Sequence, residues 1–199
     1  VPAQVRGVTD LPLGQGFGVS GALALGTALA ANAAFDRRLS ENELLTIAHG
    51  AEVEAGTGLG DAVAQARGGV PIRLEPGGPQ DNALDGVPAR GRIEVLAMGG
   101  LSTADVLEGD TDALEAPGKQ ALSDLVREPT LPTLFAAART FAREAGLVTE
   151  AVHRVIDDVA EAGGTAAMAM LGETVVALGT GLTDAGYDPL VTRIDPTGA

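Results

Sequence analysis

The chain has no cysteine, no tryptophan and a single lysine, Lys119. Without thiols it can form neither disulfides nor thiolate metal sites, and two histidines, His49 and His153, are too few and too far apart in sequence to suggest zinc. Basic residues number 13 against 27 acidic ones, a net charge of −14, so nucleic acid or an anionic membrane would be repelled. Long apolar runs are also scarce. The one stretch of membrane-spanning length, Phe17 to Phe35, is rich in alanine and glycine and includes Thr27 and Asn32, and it reads as a buried core helix. No charged segment followed by an apolar one opens the chain, so no signal peptide is expected. Acid excess with almost no lysine and abundant alanine, glycine and valine is the composition expected of a salt-adapted cytoplasm. A length of 199 residues fits one large or two small domains.

What is present is organised around Leu11-Pro-Leu-Gly-Gln-Gly-Phe-Gly-Val-Ser-Gly-Ala22, which runs into an Ala/Leu-rich helix pattern lasting to about Ala34. Gly14, Gly16, Gly18 and Gly21 can take positive φ and present successive N–H groups to one point. The helix that follows adds its positive dipole end, so the expected guest is a phosphate. Gly16 to Gly21 satisfies G-x-G-x-x-G, but Thr9-Asp-Leu-Pro12 places a proline where a dinucleotide fold needs a strand end, and Asp36 to Glu41 is polar where the second strand should lie. A Walker A loop needs a lysine that is absent here. A bare packing turn remains the ordinary alternative.

Further along, Ser40 and Glu43 form a capping box opening a helix over Glu41 to Ala55, with Leu44, Leu45, Ala48 and Ala51 as its apolar stripe. Then comes Glu52-Val-Glu-Ala-Gly-Thr-Gly-Leu-Gly-Asp61, followed by Gly68-Gly69. Pro71 to Glu75 reads as a strand, Asp81 to Arg90 as a loop, and Arg92 to Met98 as a strand entering a second domain. Helices are expected over Lys119–Arg127, Pro132–Ala145 and Thr149–Ala162, then a hairpin in Ala162 to Ala177 and a closing strand in Leu190 to Asp195. His153 is expected at or near the surface.

The first stretch resembles the phosphate loop P-x-G-x-G-[LF]-G-x-S-[AG]-A of the GHMP kinases. The second resembles the segment in which mevalonate-kinase-like members place a glutamate, a glycine-rich turn, an aspartate and a Gly-Gly pair. Ala169-Met-Leu-Gly-Glu-Thr-Val175, together with Glu54-Ala-Gly-Thr-Gly-Leu-Gly-Asp61 and Ala64-Gln65, looks most like the archaeal pantoate kinases of that superfamily. The resemblance implies an α+β fold of two domains. Residues 1–90 would form an ATP-binding domain like the second domain of ribosomal protein S5, lacking its first strands because only eleven residues precede Pro12. Residues 91–199 would form a ferredoxin-like domain.

By the same resemblance, Pro12, Gly14, Gly16, Phe17, Gly18, Val19, Ser20 and Gly21 bind ATP, Ser20 and Glu52 (or Glu54) hold Mg²⁺, and Asp61 is the general base. Arg67 and Arg73 are candidates for the carboxylate of a small-molecule substrate, pantoate, whose primary hydroxyl would be phosphorylated in coenzyme A synthesis. The readings set against these roles are a helix cap for Ser20, a solvated carboxylate for Glu52 and an N-cap for Asp61. Homoserine or mevalonate kinase types, and a non-catalytic nucleotide-binding remnant, are the alternatives; a homodimer is left open.

Overall fold

A computed structural model describes residues 3–58, 60–99, 112–169 and 172–199. The first helix, α1 (Val19–Ala34), begins where the glycines end, its N-cap being Gly18 in the left-handed region at φ 65°. The second, α2 (Glu41–Ala55), starts as its sequence dictates. The Ser40 N–H donates to Glu43 Oε2 at 2.8 Å, the Glu43 N–H donates back to Ser40 Oγ at 3.4 Å, and Gly56 closes the helix at φ 65°. A short helix α3 (Asp61–Arg67) follows, then the antiparallel pair β1 (Pro71–Glu75) and β2 (Ala83–Gly86). The strand β2 corrects the reading of Asp81 to Arg90 as loop. Leu84 packs on the α1–α2–α3 core, a non-local contact that no hairpin signal in this stretch announces.

The rest of the chain builds a four-stranded antiparallel sheet in the order β4-β5-β3-β6, from β3 (Arg92–Gly99), β4 (Ala166–Met168), β5 (Glu173–Leu178) and β6 (Leu190–Arg193). Helices α4 (Asp112–Arg127), α5 (Leu131–Glu144) and α6 (Glu150–Glu161) precede β4, and the one-turn α7 (Gly181–Asp184) links β5 to β6. Thr130 and Thr149 cap α5 and α6 through their side chains, accepting from the N–H groups of Thr133 and Val152. His153 is exposed and pairs with Asp157 at 2.8 Å.

Three apolar clusters hold these layers. Leu25, Leu45, Ala48, Ala62 and Val63 join α1, α2 and α3. Val152, Val155 and Val159 pack α6 on Val175 and Ala177 of the sheet. Ile72 and Val87 meet Leu125 of α4, which connects the small sheet to the second half of the chain. Full burial of such a side chain contributes roughly 1.5–3 kcal/mol.

Two sequence expectations change here. Only Val19, Gly21 and Leu25 of α1 are buried, and Leu29 and Phe35 stand exposed, so α1 is a one-faced helix rather than a core rod. Ala51 is exposed, and the inward position at that end of α2 goes to Glu52. Among the described residues no helix is long and apolar enough to cross a membrane.

Candidate active site

The glycine loop, the end of α2 and the start of α3 converge on one point. A methyl group on Gly21 would stand 2.9 Å from Glu52 Oε2 and 3.0 Å from Asp61 Cβ, and one on Gly18 would stand 3.3 Å from Asp61 Cβ. Only glycine permits this approach, because any Cβ would push the loop off both carboxylates. Gly14, Gly16 and Gly18 all have positive φ, at 73°, 80° and 65°, the conformation their spacing implies. Gln65 of α3 locks the far end of the loop by donating from Nε2 to the Gly18 carbonyl at 2.8 Å. Pro12 and Gly14 are exposed, Phe17 is half-buried and Val19 is buried, so the loop has an open front and an anchored back.

None of the three simpler readings describes these side chains. Ser20 does not cap α1; its hydroxyl donates to the Thr57 carbonyl at 3.5 Å. Glu52 is 3% exposed and not solvated. Asp61 is the first residue of α3 rather than its N-cap, which is Gly60.

Glu52 receives the Thr57 hydroxyl at Oε1 over 3.4 Å, while Oε2 is buried with no hydrogen-bond partner among the described residues. A buried carboxylate oxygen without a donor is costly unless a cation completes it. Glu54, two residues beyond the inward-facing Glu52, is exposed. Among the described residues no three histidine or acidic side chains form a metal cluster.

Asp61 has an open side to solvent, yet its carboxyl is pushed above the usual aspartate range by burial and by the Glu52 charge, and Arg73 partly counters them. Arg73 comes from β1, donates from Nη2 to the Gly77 carbonyl at 2.9 Å and lays its guanidinium against Gly60. Burial lowers its own pKa, and Asp61 opposes that.

Arg67 does not join this group. At the last turn of α3 it is exposed and lies beside Gly86, in a separate cleft with Glu41, Asn42 and Leu84. On a short helix, Asp61 and Arg67 are six residues apart and point to different sides.

Beyond Arg73 an apolar cavity of about 350 Å³ lies between β1, α4, α5 and the end of β4. Ile72, Leu122, Phe141 and Met168 line it, and Arg73 is the one charged residue in its lining among the described residues. One turn before Glu52, the ring of His49 faces Gly78, and its Nδ1 is buried without a partner among the described residues. The i to i+3 spacing of His49 from Glu52 is the sequence signal for this shared inward face.

Residues 2–69 match the family model described as the GHMP kinases N terminal domain. Pantoate kinase of Thermococcus kodakarensis is 38% identical over 174 residues, 85% of this chain and 57% of the relative. Pantoate kinase of Methanocaldococcus jannaschii is 34% identical, covering 84% of this chain and 61% of its own length. The chain thus spans between 57 and 61% of the length of the curated relatives it matches. Among solved structures, a phosphotransferase related to the CoA biosynthesis pathway superposes with a TM-score of 0.80 at 30% identity, covering 96% of this chain and 65% of that one. A Listeria monocytogenes structure described as a putative homoserine kinase superposes with a TM-score of 0.61 at 16% identity, over 96% of this chain and 70% of that one, a likeness of fold alone. The α+β architecture is shared with these neighbours, and the glycine loop lies inside the segment, residues 2–69, that is similar to the N-terminal domain of the GHMP kinases.

Proposed function

We propose that this protein is an ATP-dependent kinase that phosphorylates the primary hydroxyl of pantoate. The observation that carries the reading is the meeting of the glycine loop with Glu52 and Asp61, held at the distances imposed by Gly18 and Gly21. Loop amides from Gly14 to Gly21, with the N-terminus of α1, are suited to a triphosphate. Asp61 accepts the proton of the attacking hydroxyl as its oxygen bonds to the γ-phosphorus and the bond to the bridging oxygen of ADP breaks. Its raised pKa brings it nearer the operating pH of a base.

Glu52, through its unpartnered Oε2, and Ser20 would hold Mg²⁺, which supplies neutralisation of phosphate charge during transfer. The acceptor side fits pantoate in two respects. Arg73 offers a cation for its carboxylate in a protein whose net charge of −14 otherwise repels anions. The apolar cavity next to Arg73 suits the two methyl groups on the carbon adjoining the reacting CH₂OH. Relatives named pantoate kinase at 33 to 38% identity support the same acceptor. The site would then lie between an ATP-binding domain ending near residue 90 and the domain that follows.

The test is transfer of label from [γ-³²P]ATP to pantoate by the full chain, beside binding of Mg·ATP measured by titration. Labelled phosphopantoate, lost in Ser20→Ala with the melting temperature kept, is the expected result. Nucleotide bound with no transfer to any of pantoate, homoserine or mevalonate would leave a binding protein and sink the kinase reading.

A further inference from the structure

Gly172-Glu-Thr174, from the Ala169 to Val175 stretch of the sequence, has no part in the chemistry above, yet it reaches back to the loop across the whole chain. Thr174 is 1% exposed on β5, and its hydroxyl donates to the carbonyl of Gln15 at 2.6 Å. Gly172, at φ 108°, packs against the same residue: a methyl group there would stand 3.0 Å from the Gln15 carbonyl carbon and 3.2 Å from its α-carbon. We propose that Thr174 is a positioning residue, which pins the Gln15–Gly16 peptide so that the glycine loop is preformed for the nucleotide triphosphate. This rests on the nucleotide reading of the loop.

The physical reason lies in the loop itself. Gln15 is the lone side chain between Gly14 and Gly16, both at positive φ, and such a segment loses much backbone entropy when it is ordered. A trans peptide is planar, with its C=O and N–H pointing opposite ways. Holding the Gln15 oxygen against β5 therefore turns the Gly16 N–H away from the hairpin, toward the side open to a ligand. Thr174 is itself rigid: it pairs with Ala97 of β3, and its carbonyl accepts from the Ala169 N–H at 2.8 Å. Gln65 holds the other end of the loop at the Gly18 carbonyl. Between these two clasps the loop has little freedom left to lose on binding, which is how preorganisation raises affinity.

The experiment compares Thr174→Val, which keeps the shape and removes the hydroxyl, with Thr174→Ser, which keeps the hydroxyl. Thr174→Val should raise the KM for Mg·ATP roughly three- to tenfold, the range of one lost neutral hydrogen bond. The KM for pantoate should stay within twofold, and Thr174→Ser should restore the nucleotide KM. Equal losses for both substrates, or a valine variant with wild-type nucleotide KM, would overturn the role. Amide hydrogen exchange of residues 14–18 without ligand provides a second readout. Faster exchange in the valine variant supports the clasp even for a chain that transfers no phosphate, and unchanged exchange refutes it. If the wild type binds no nucleotide at all, the proposed function fails, while exchange still reports on the clasp.

Discussion

Asp61 and Arg73 meet beside Gly60: burial and the Glu52 charge raise the Asp61 carboxyl, and the Arg73 guanidinium opposes them. The neighbours of the proposed base therefore act on it with opposite signs, and each can be removed separately.

A base is active when deprotonated, so kcat/KM should fall as pH drops through the raised Asp61 pKa. Arg73→Gln removes the opposing cation and should move this acid limb to higher pH. Glu52→Gln removes a like charge and should move it to lower pH, on top of any loss in metal use. Profiles of single-turnover transfer measure both. Limbs that move together, or not at all, would show that the titrating group is not Asp61.

Asp61→Asn keeps the size of the side chain but cannot take a proton. The rate of transfer should fall by roughly 10²–10⁴-fold, with Mg·ATP affinity nearly unchanged. A variant that retains most of the rate would mean that Asp61 only orients the hydroxyl, and that positioning and electrostatics carry the reaction.

Glu94 of β3 is fully buried, where desolvation alone would raise its pKa. Hydrogen bonds from Thr183 and Arg92 outweigh that and bring it down to about 2. Its Oε2 accepts from the N–H groups of Leu182 and Thr183, both at 3.0 Å, and so caps α7. A depressed carboxylate pKa adds stability above the ordinary value of 4.5, and that contribution is lost as pH falls from there toward 2. Glu94→Gln should cost about 2 kcal/mol at neutral pH, in the range for hydrogen bonds to a charge, and flatten the pH dependence in that window. Denaturant titrations at pH 7 and pH 3 check this; an unchanged slope of stability with pH would remove Glu94 as its source.

The acidic surface should make the fold salt-dependent, as salt adaptation would require. Screening relieves repulsion among 27 acidic groups set against 13 basic ones, so the melting temperature should climb between low and molar KCl. A flat curve would dissociate the composition from salt adaptation.

Much of the site was legible because its parts are local. The Ser40–Glu43 box starts α2 at the residue its motif indicates, and the alternate glycines of the loop take the left-handed conformations their spacing implies. The helix after the loop, the β4–β5 hairpin and the edge strand β6 followed from short-range pattern in the same way. The strand β2 did not, because Ala83-Leu-Asp-Gly carries little β propensity and is held by its partner and by Leu84 packing on helices far away in sequence.

The order of the motifs was determined by the amino-acid sequence on its own, since spacing and glycine placement constrain backbone conformation directly. Which side chains meet was decided by tertiary structure. Glu52 turns inward and Glu54 outward because the helix period puts only one of them on the face beneath Gly21. Arg73 reaches Asp61 and Arg67 does not, because a strand crossing beside Gly60 faces the site and the last turn of α3 faces away. The Thr174–Gln15 clasp joins residues 159 apart, and nothing in either segment announces it. Such contacts depend on how packed layers bring distant chain together, a property of the assembled core rather than of any window along it.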